Sequence, residues 1–269
     1  MLLAWIIVQI ILETIPVSSS GHVTLLSGIM QKLGYSTDII HDESINYLLH
    51  IPTLIVIVFY FFNRWWQTVF HKKLKCSDLF VPATYAAALR PIIFLGITTI
   101  ITAAYKFSHI PSYIARCPYS LTFGLCCTAL LLYVSRYAHG SKKPTWTCRE
   151  AMVLGLVQAL ALSPGVSRFA STFVASRFLL GYASVSAFEI SFMIQLPLLC
   201  AVLVQLIVLS AVQSLNIVQF LDFMILFGIV LSSVLSYYIL KCMDTLIQRN
   251  RLWYLSWYML LPIALSIIF

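Results

Sequence analysis

Six stretches of this chain are apolar over nearly the thickness of a bilayer, and two shorter ones stop partway and dissolve into proline, serine and glycine. The long stretches are Ile45 to Phe62, Phe80 to Tyr105, Cys117 to Tyr133, Ser186 to Leu209, Phe220 to Leu240 and Leu252 to Phe269. Each approaches the ~20 residues a helix needs to cross hydrocarbon, although Arg90-Pro91 interrupts the second. The short runs, Leu2 to Pro16 and Ala151 to Leu162, cannot span. Polar backbone at membrane depth is tolerated only where it lines a cavity. The expectation is therefore an all-α polytopic membrane protein with six transmembrane helices and two re-entrant helical hairpins.

Charge agrees with this reading. Only 10% of the 269 residues are charged, against about 25% in soluble domains. The net charge of +8 does not point to nucleic acid, because 11 of the 17 Lys and Arg fall in three connecting segments: Arg64 to Lys75, Arg136 to Arg149, and Lys241 to Arg251. Such clustering marks cytoplasmic loops and sends the two halves of the chain through the membrane in opposite senses. The pattern V-Q-x7-V-S occurs at Val8 to Ser18 and again at Val157 to Ser167, and Ile45-x4-His50-Ile51-Pro52 is echoed by Ile190-x4-Gln195-Leu196-Pro197. Residues 1–269 thus read as one membrane domain built from an inverted-topology repeat, with halves near 1–135 and 149–269. The seven cysteines have no metal or redox spacing and read as small core residues. The N-terminus lacks a basic region and cleavage site, so no removable signal peptide is expected.

The two polar breaks hold the chemistry. The first carries Gln9, Glu13, Pro16, Ser18, Ser19, Ser20, Gly21 and His22; the second carries Pro164, Gly165, Ser167, Arg168, Phe169, Ser171 and Thr172. Ionisable groups in a bilayer are costly unless they meet one another or a ligand. Glu13 then suits a divalent cation or a proton, and Gln9, one turn earlier, shares its helix face. The serine run could be plain small-residue packing. Three hydroxyls just after a proline, however, also offer side-chain and backbone donors to an anion. His22 is a candidate general acid or base. Arg168, at a Pro-Gly turn, reads as a bidentate phosphate clamp in preference to a snorkelling anchor, with Ser167 and Thr172 adding donors. Glu189 either lines the cavity or caps its helix near water, and Arg177 is expected to be an edge anchor. His50, paired with Gln195 by the repeat, is expected to face the cavity, whereas His41, His71, His109 and His139 fall in solvated loops. An enzyme acting on a lipid phosphate and a carrier moving that lipid uncleaved both fit the architecture; the Glu13 and His22 pair favours the enzyme. Clustered polar groups argue against a channel.

These residues resemble the undecaprenyl-diphosphate phosphatases, the bacterial membrane family tied to bacitracin resistance. The family pattern (E/Q)xxxE followed by PVSS(S/T)GH is met by Gln9-x3-Glu13 and Pro16 to His22, and PGxSRSxxT by Pro164 to Thr172. Phe188 to Phe192 with Pro197 is a weaker third match, so the likeness covers nearly the whole chain. The resemblance implies hydrolysis of undecaprenyl diphosphate to the monophosphate carrier lipid for cell-wall synthesis. It also implies a bacterial inner-membrane location. By the charge-derived topology the first re-entrant hairpin enters from the outer side, so the site is expected to open towards the outer face. By this likeness Glu13 and Gln9 serve a divalent cation, Mg²⁺ or Ca²⁺. Ser19 and His22 supply nucleophile and proton transfer, and Arg168 holds phosphate. Gln9, Ser18, Ser20, Gly21, Gly165, Ser167, Thr172 and Glu189 contact the substrate. The partners implied are that lipid and the bilayer, with no nucleic acid; a homodimer is compatible. Two departures stand out. Phe169 replaces the serine after the motif arginine, which leaves open a degenerate lipid binder, and His50-Ile51-Pro52 stands where the family commonly has Gln-Leu-Gly.

Overall fold

The computed structural model describes residues 2–35, 43–70, 82–212 and 223–268. Among them the regular structure is helical, apart from one isolated bridge between Lys142 and Tyr182. In chain order the α-helices are α1 (Leu2–Thr14), α2 (Ser19–Lys32), α3 (Glu43–Phe70), α4 (Pro82–Phe107), α5 (Ile110–Ala115), α6 (Ser120–Val134), α7 (Cys148–Leu160), α8 (Arg168–Phe178), α9 (Ser184–Met193), α10 (Leu196–Val212), α11 (Phe223–Gln248) and α12 (Leu255–Ile268).

Among the described residues five segments are long and apolar enough to cross a membrane: Ile45–Trp66, Leu89–Phe107, Ser120–Tyr137, Ser184–Val208 and Ile225–Gln248. The sixth expected span forms a shorter apolar helix over Leu252–Ile268, opening with a 3₁₀ turn at Leu252–Tyr254 that leads into α12. Both short runs end as expected: α1 stops at Thr14 and α7 at Leu160, and each chain then turns back as α2 and α8. The fourth span contains a break between α9 and α10. Pro197 has no N–H to return to the preceding turn, and Gln158 Nε2 donates to the carbonyl of Ile194 there at 3.3 Å.

The packing crosses between the two ends of the chain. Helix α1 lies chiefly against α11, and α7 chiefly against α4, while α3 packs on α10 and α6 on α12. At the centre an aromatic cluster joins α3, α8 and α9: Phe169 lies 4.8 Å from Phe192 and 5.7 Å from Phe188, and Phe61 lies 5.1 Å from Phe188, centroid to centroid.

Two expectations are corrected. Arg177 is not a side chain extended into water but is buried, 5% exposed. It donates to Ser184 Oγ at 2.5 Å, to Asn250 Oδ1 at 3.3 Å and to the carbonyl of Ala138. Asn250 in turn donates to the carbonyl of Arg136 at 3.2 Å. These bonds gather two of the three basic segments at one end of the molecule. Arg177→Met strands the buried Ala138 carbonyl, at about 1–3 kcal/mol, and removes the part-buried bonds to Ser184 and Asn250. The expected result is a clearly lower thermal midpoint of the detergent-solubilised protein with an unchanged KM, read by melting and steady-state assays. The cysteines are the second correction: Cys117, Cys126, Cys148, Cys200 and Cys242 are exposed and Cys127 half-buried. On α6 and α10 a soft thiol is at home against hydrocarbon, whereas Cys148 and Cys242 fall within two of the basic segments. Cys76, His41 and His71 lie outside the described residues, and His109 and His139 are exposed as expected.

Candidate active site

The first break is built around Ser18, whose left-handed backbone (φ 66°, ψ 84°) turns the chain sharply after Pro16. This is an uncommon conformation for a residue with a side chain, and such strain concentrates at functional sites. Ser18 caps α2: its Oγ accepts from the Gly21 N–H at 3.3 Å. The second break ends in the same way, with Ser167 capping α8 by accepting from the Ala170 N–H at 3.2 Å. Thr128 on α6 pins this loop, donating to the Gly165 carbonyl and accepting from the Ser167 N–H, both at 2.8 Å.

The two breaks touch. A Cβ on Gly21 would sit 2.9 Å from the Gly165 Cα, and one on Gly165, where φ is +79°, would sit 2.5 Å from the Leu121 carbonyl oxygen. Only glycine allows that approach. It brings the N-termini of α2 and α8 onto one cavity of about 210 Å³. Glu13, Ser18, Ser19, Ser20, Ser167 and Arg168 line it, joined by Thr53, Phe169 and Gln195. Two helix N-termini present N–H groups and positive dipole ends to the same space. Arg168 makes no ion pair among the described residues. The cavity therefore holds fixed positive potential ready for an anion.

Opposite charge stands close by. Glu13, at the end of α1 and 5% exposed, pairs through Oε1 with His50 Nδ1 on α3. Around it lie buried polar atoms with no hydrogen-bond partner: Glu13 Oε2, Gln9 Oε1 and Thr53 Oγ1. Unpartnered oxygens are costly at membrane depth, and a hard divalent cation is a natural partner for them. The residues present thus fit such an ion. His22 Nδ1 lies 2.8 Å from the Ser18 carbonyl oxygen. A carbonyl can only accept, so Nδ1 carries the hydrogen and Nε2 of the neutral ring is the basic nitrogen. That Nε2 is buried without a partner, and the ring stacks on Tyr258 at 5.7 Å and 4°.

Gln9, His22, Gly21 and Gly165 stand behind the cavity wall and do not line it. Thr172 is occupied, its hydroxyl bonded to the carbonyls of Arg168 at 2.8 Å and Phe169 at 3.2 Å. Glu189 is drawn away to a second polar cluster, 3.8 Å from Arg64, which also bonds Asp244 at 2.5 Å. Phe169 reaches the cavity with one edge, but most of its ring is absorbed by the aromatic cluster, leaving it 7% exposed. Thr53, Gln195 and Thr128 were not anticipated. Thr53 lies one turn beyond His50 and Gln195 is His50's counterpart in the repeat, so both had a signal; Thr128 had none.

The sequence profile described as bacitracin resistance protein BacA matches residues 2–265. Curated relatives include undecaprenyl-diphosphatases of three organisms. That of Geotalea daltonii is 28% identical over 98% of this chain and 95% of its own length, and that of Halothermothrix orenii is 26% identical over 94% and 90%. That of Jannaschia sp. is 30% identical over 72% of this chain and 71% of that protein.

Proposed function

Because this chain belongs to the BacA bacitracin resistance protein family, we propose that it is an integral-membrane phosphatase that hydrolyses undecaprenyl diphosphate to undecaprenyl phosphate and inorganic phosphate. Such an activity recycles the carrier lipid for cell-wall synthesis and bears on resistance to bacitracin. The observation that carries the reading is the convergence of two helix N-termini, Arg168 and Glu13 on one cavity. A lipid diphosphate needs that pairing of positive potential with a cation-binding carboxylate.

Arg168 and the N–H groups opening α2 and α8 hold the terminal phosphate and stabilise charge on its oxygens in the transition state. Ser19 lines the cavity and lies three residues before His22, so both occupy one face of α2. Ser19 Oγ attacks the terminal phosphorus while His22 Nε2 takes its proton. The bond from phosphorus to the bridging oxygen breaks, and that oxygen leaves on the lipid monophosphate. Water then displaces the phosphate from Ser19. Glu13 and Gln9 would hold a divalent cation, Mg²⁺ or Ca²⁺, whose charge offsets that of the diphosphate.

The protein sits in the bacterial inner membrane with the cavity towards the outer face. Support comes from two of the basic segments, drawn to one end by Arg177 and Asn250. The inverted repeat is supported by the exchange in which α1 packs on α11 and α7 on α4. The test is phosphate release from undecaprenyl diphosphate by purified protein with Mg²⁺, Ca²⁺ or EDTA. Cation-dependent release is expected. Folded protein that binds the lipid without releasing phosphate would leave a carrier or a non-catalytic lipid binder in its place.

A further inference from the structure

We propose that His50 is a ligand of the divalent cation, so that the site is a mixed nitrogen and oxygen centre suited to a Mn²⁺-, Co²⁺- or Zn²⁺-type ion more than to Ca²⁺. The inference rests on the phosphatase reading only in taking Glu13 as the cation's carboxylate. The geometry comes from two packed helices. On α1, Gln9 and Glu13 are one turn apart, and on α3 so are His50 and Thr53; α1 and α3 are in contact. Spacings of three and four residues put each pair on a single helix face. Glu13 Oε1 and His50 Nδ1 already meet, which places an imidazole nitrogen and a carboxylate oxygen where one ion can bridge them.

Three oxygens complete the set. Gln9 is 6% exposed and Thr53 1% exposed, and Gln9 Oε1, Thr53 Oγ1 and Glu13 Oε2 have no hydrogen-bond partner. If His50 were only a counter-ion for Glu13, these three buried oxygens would remain unsatisfied, each costly at membrane depth. An ion shared by both helices satisfies all of them together. No cluster of three or more His, Cys, Asp or Glu exists among the described residues, so the amide and hydroxyl are required members of the set. Imidazole changes which ion is preferred. Calcium and magnesium favour all-oxygen shells, whereas imidazole raises affinity for first-row transition ions and zinc. Gln195, the counterpart of His50 in the repeat, donates its Nε2 to the Ser191 carbonyl at 2.8 Å. Only one of the two repeat-related positions therefore offers a nitrogen lone pair.

The test uses Mn²⁺ as probe, with pulsed electron paramagnetic resonance on the purified full-length protein in lipid nanodiscs. Wild type is expected to show ¹⁴N modulation on bound Mn²⁺. His50→Gln is expected to lose that modulation and bind Mn²⁺ at least about tenfold more weakly. Thr53→Val should keep the modulation while weakening binding, and the thermal midpoint of each variant establishes that it is folded. Mn²⁺ bound without ¹⁴N modulation, modulation that survives His50→Gln, or no Mn²⁺ binding by wild type would each overturn the assignment. Phosphate release is assayed on the same samples. Release without modulation sinks the His50 ligand and leaves the phosphatase standing; modulation without release does the reverse.

Discussion

Glu13→Gln lowers kcat for phosphate release by about 10³-fold while leaving the protein folded, within the range associated with losing a positioned acid–base or ligand group. The substitution is nearly isosteric, so the contacts of α1 with α11 survive. What changes is charge. Glu13 is the carboxylate lining the cavity, and an amide cannot balance a cation in the same way. Its position at the end of α1 sharpens the effect, because the C-terminus of a helix repels a carboxylate and favours a positive ion near it. The measurement is steady-state phosphate release with saturating divalent cation, alongside gel filtration and a melting curve. Activity within tenfold of wild type would remove Glu13 from the machinery.

Arg168→Ala is expected to reduce kcat/KM by about 10³-fold or more, the scale of a transition-state arginine in phosphoryl transfer. Arg168→Lys should recover little of it, since a lysine lacks the planar fork that grips two phosphate oxygens. Stability should hardly fall, because Arg168 makes no ion pair among the described residues. Removing it leaves Glu13 its pairing with His50, and α8 keeps its cap at Ser167. The loss should fall mainly on kcat if the guanidinium acts chiefly on charge that develops during cleavage. A rise in KM alone would reassign Arg168 to ground-state binding.

The helical, membrane-spanning character was plain from the spacing of apolar runs, because hydrocarbon leaves few alternatives for the backbone. The two breaks were equally plain, since serine, glycine, glutamate and arginine are expensive at that depth. Less visible was which side chains would share the cavity. Thr172 lies within the same motif as Arg168, yet its hydroxyl is consumed by its own helix, a local choice open to any threonine one turn along. Glu189 looked like a cavity residue by position, but Arg64 and Asp244 on other helices claim it. Arg177 looked like an edge anchor because nothing near it in sequence announces Ala138 or Asn250. Pairings across 39 and 73 residues leave no periodic trace, and the break at Gln195 was masked by a continuous apolar run.

The exchange of hairpins between the two ends of the chain also sets the order in which the molecule can be made. Helix α1 emerges first, but its main partner, α11, begins only at Phe223. During synthesis, then, Glu13 and Gln9 wait in the bilayer without their seat until most of the chain has followed. Contacts this remote in sequence form late. A nascent chain arrested before Phe223 should leave α1 open to protease or to thiol labelling through an introduced cysteine, whereas the finished protein protects it. Catalytic competence is thus withheld from every truncated product: a ribosome that stops early leaves a membrane insert, not a partial enzyme.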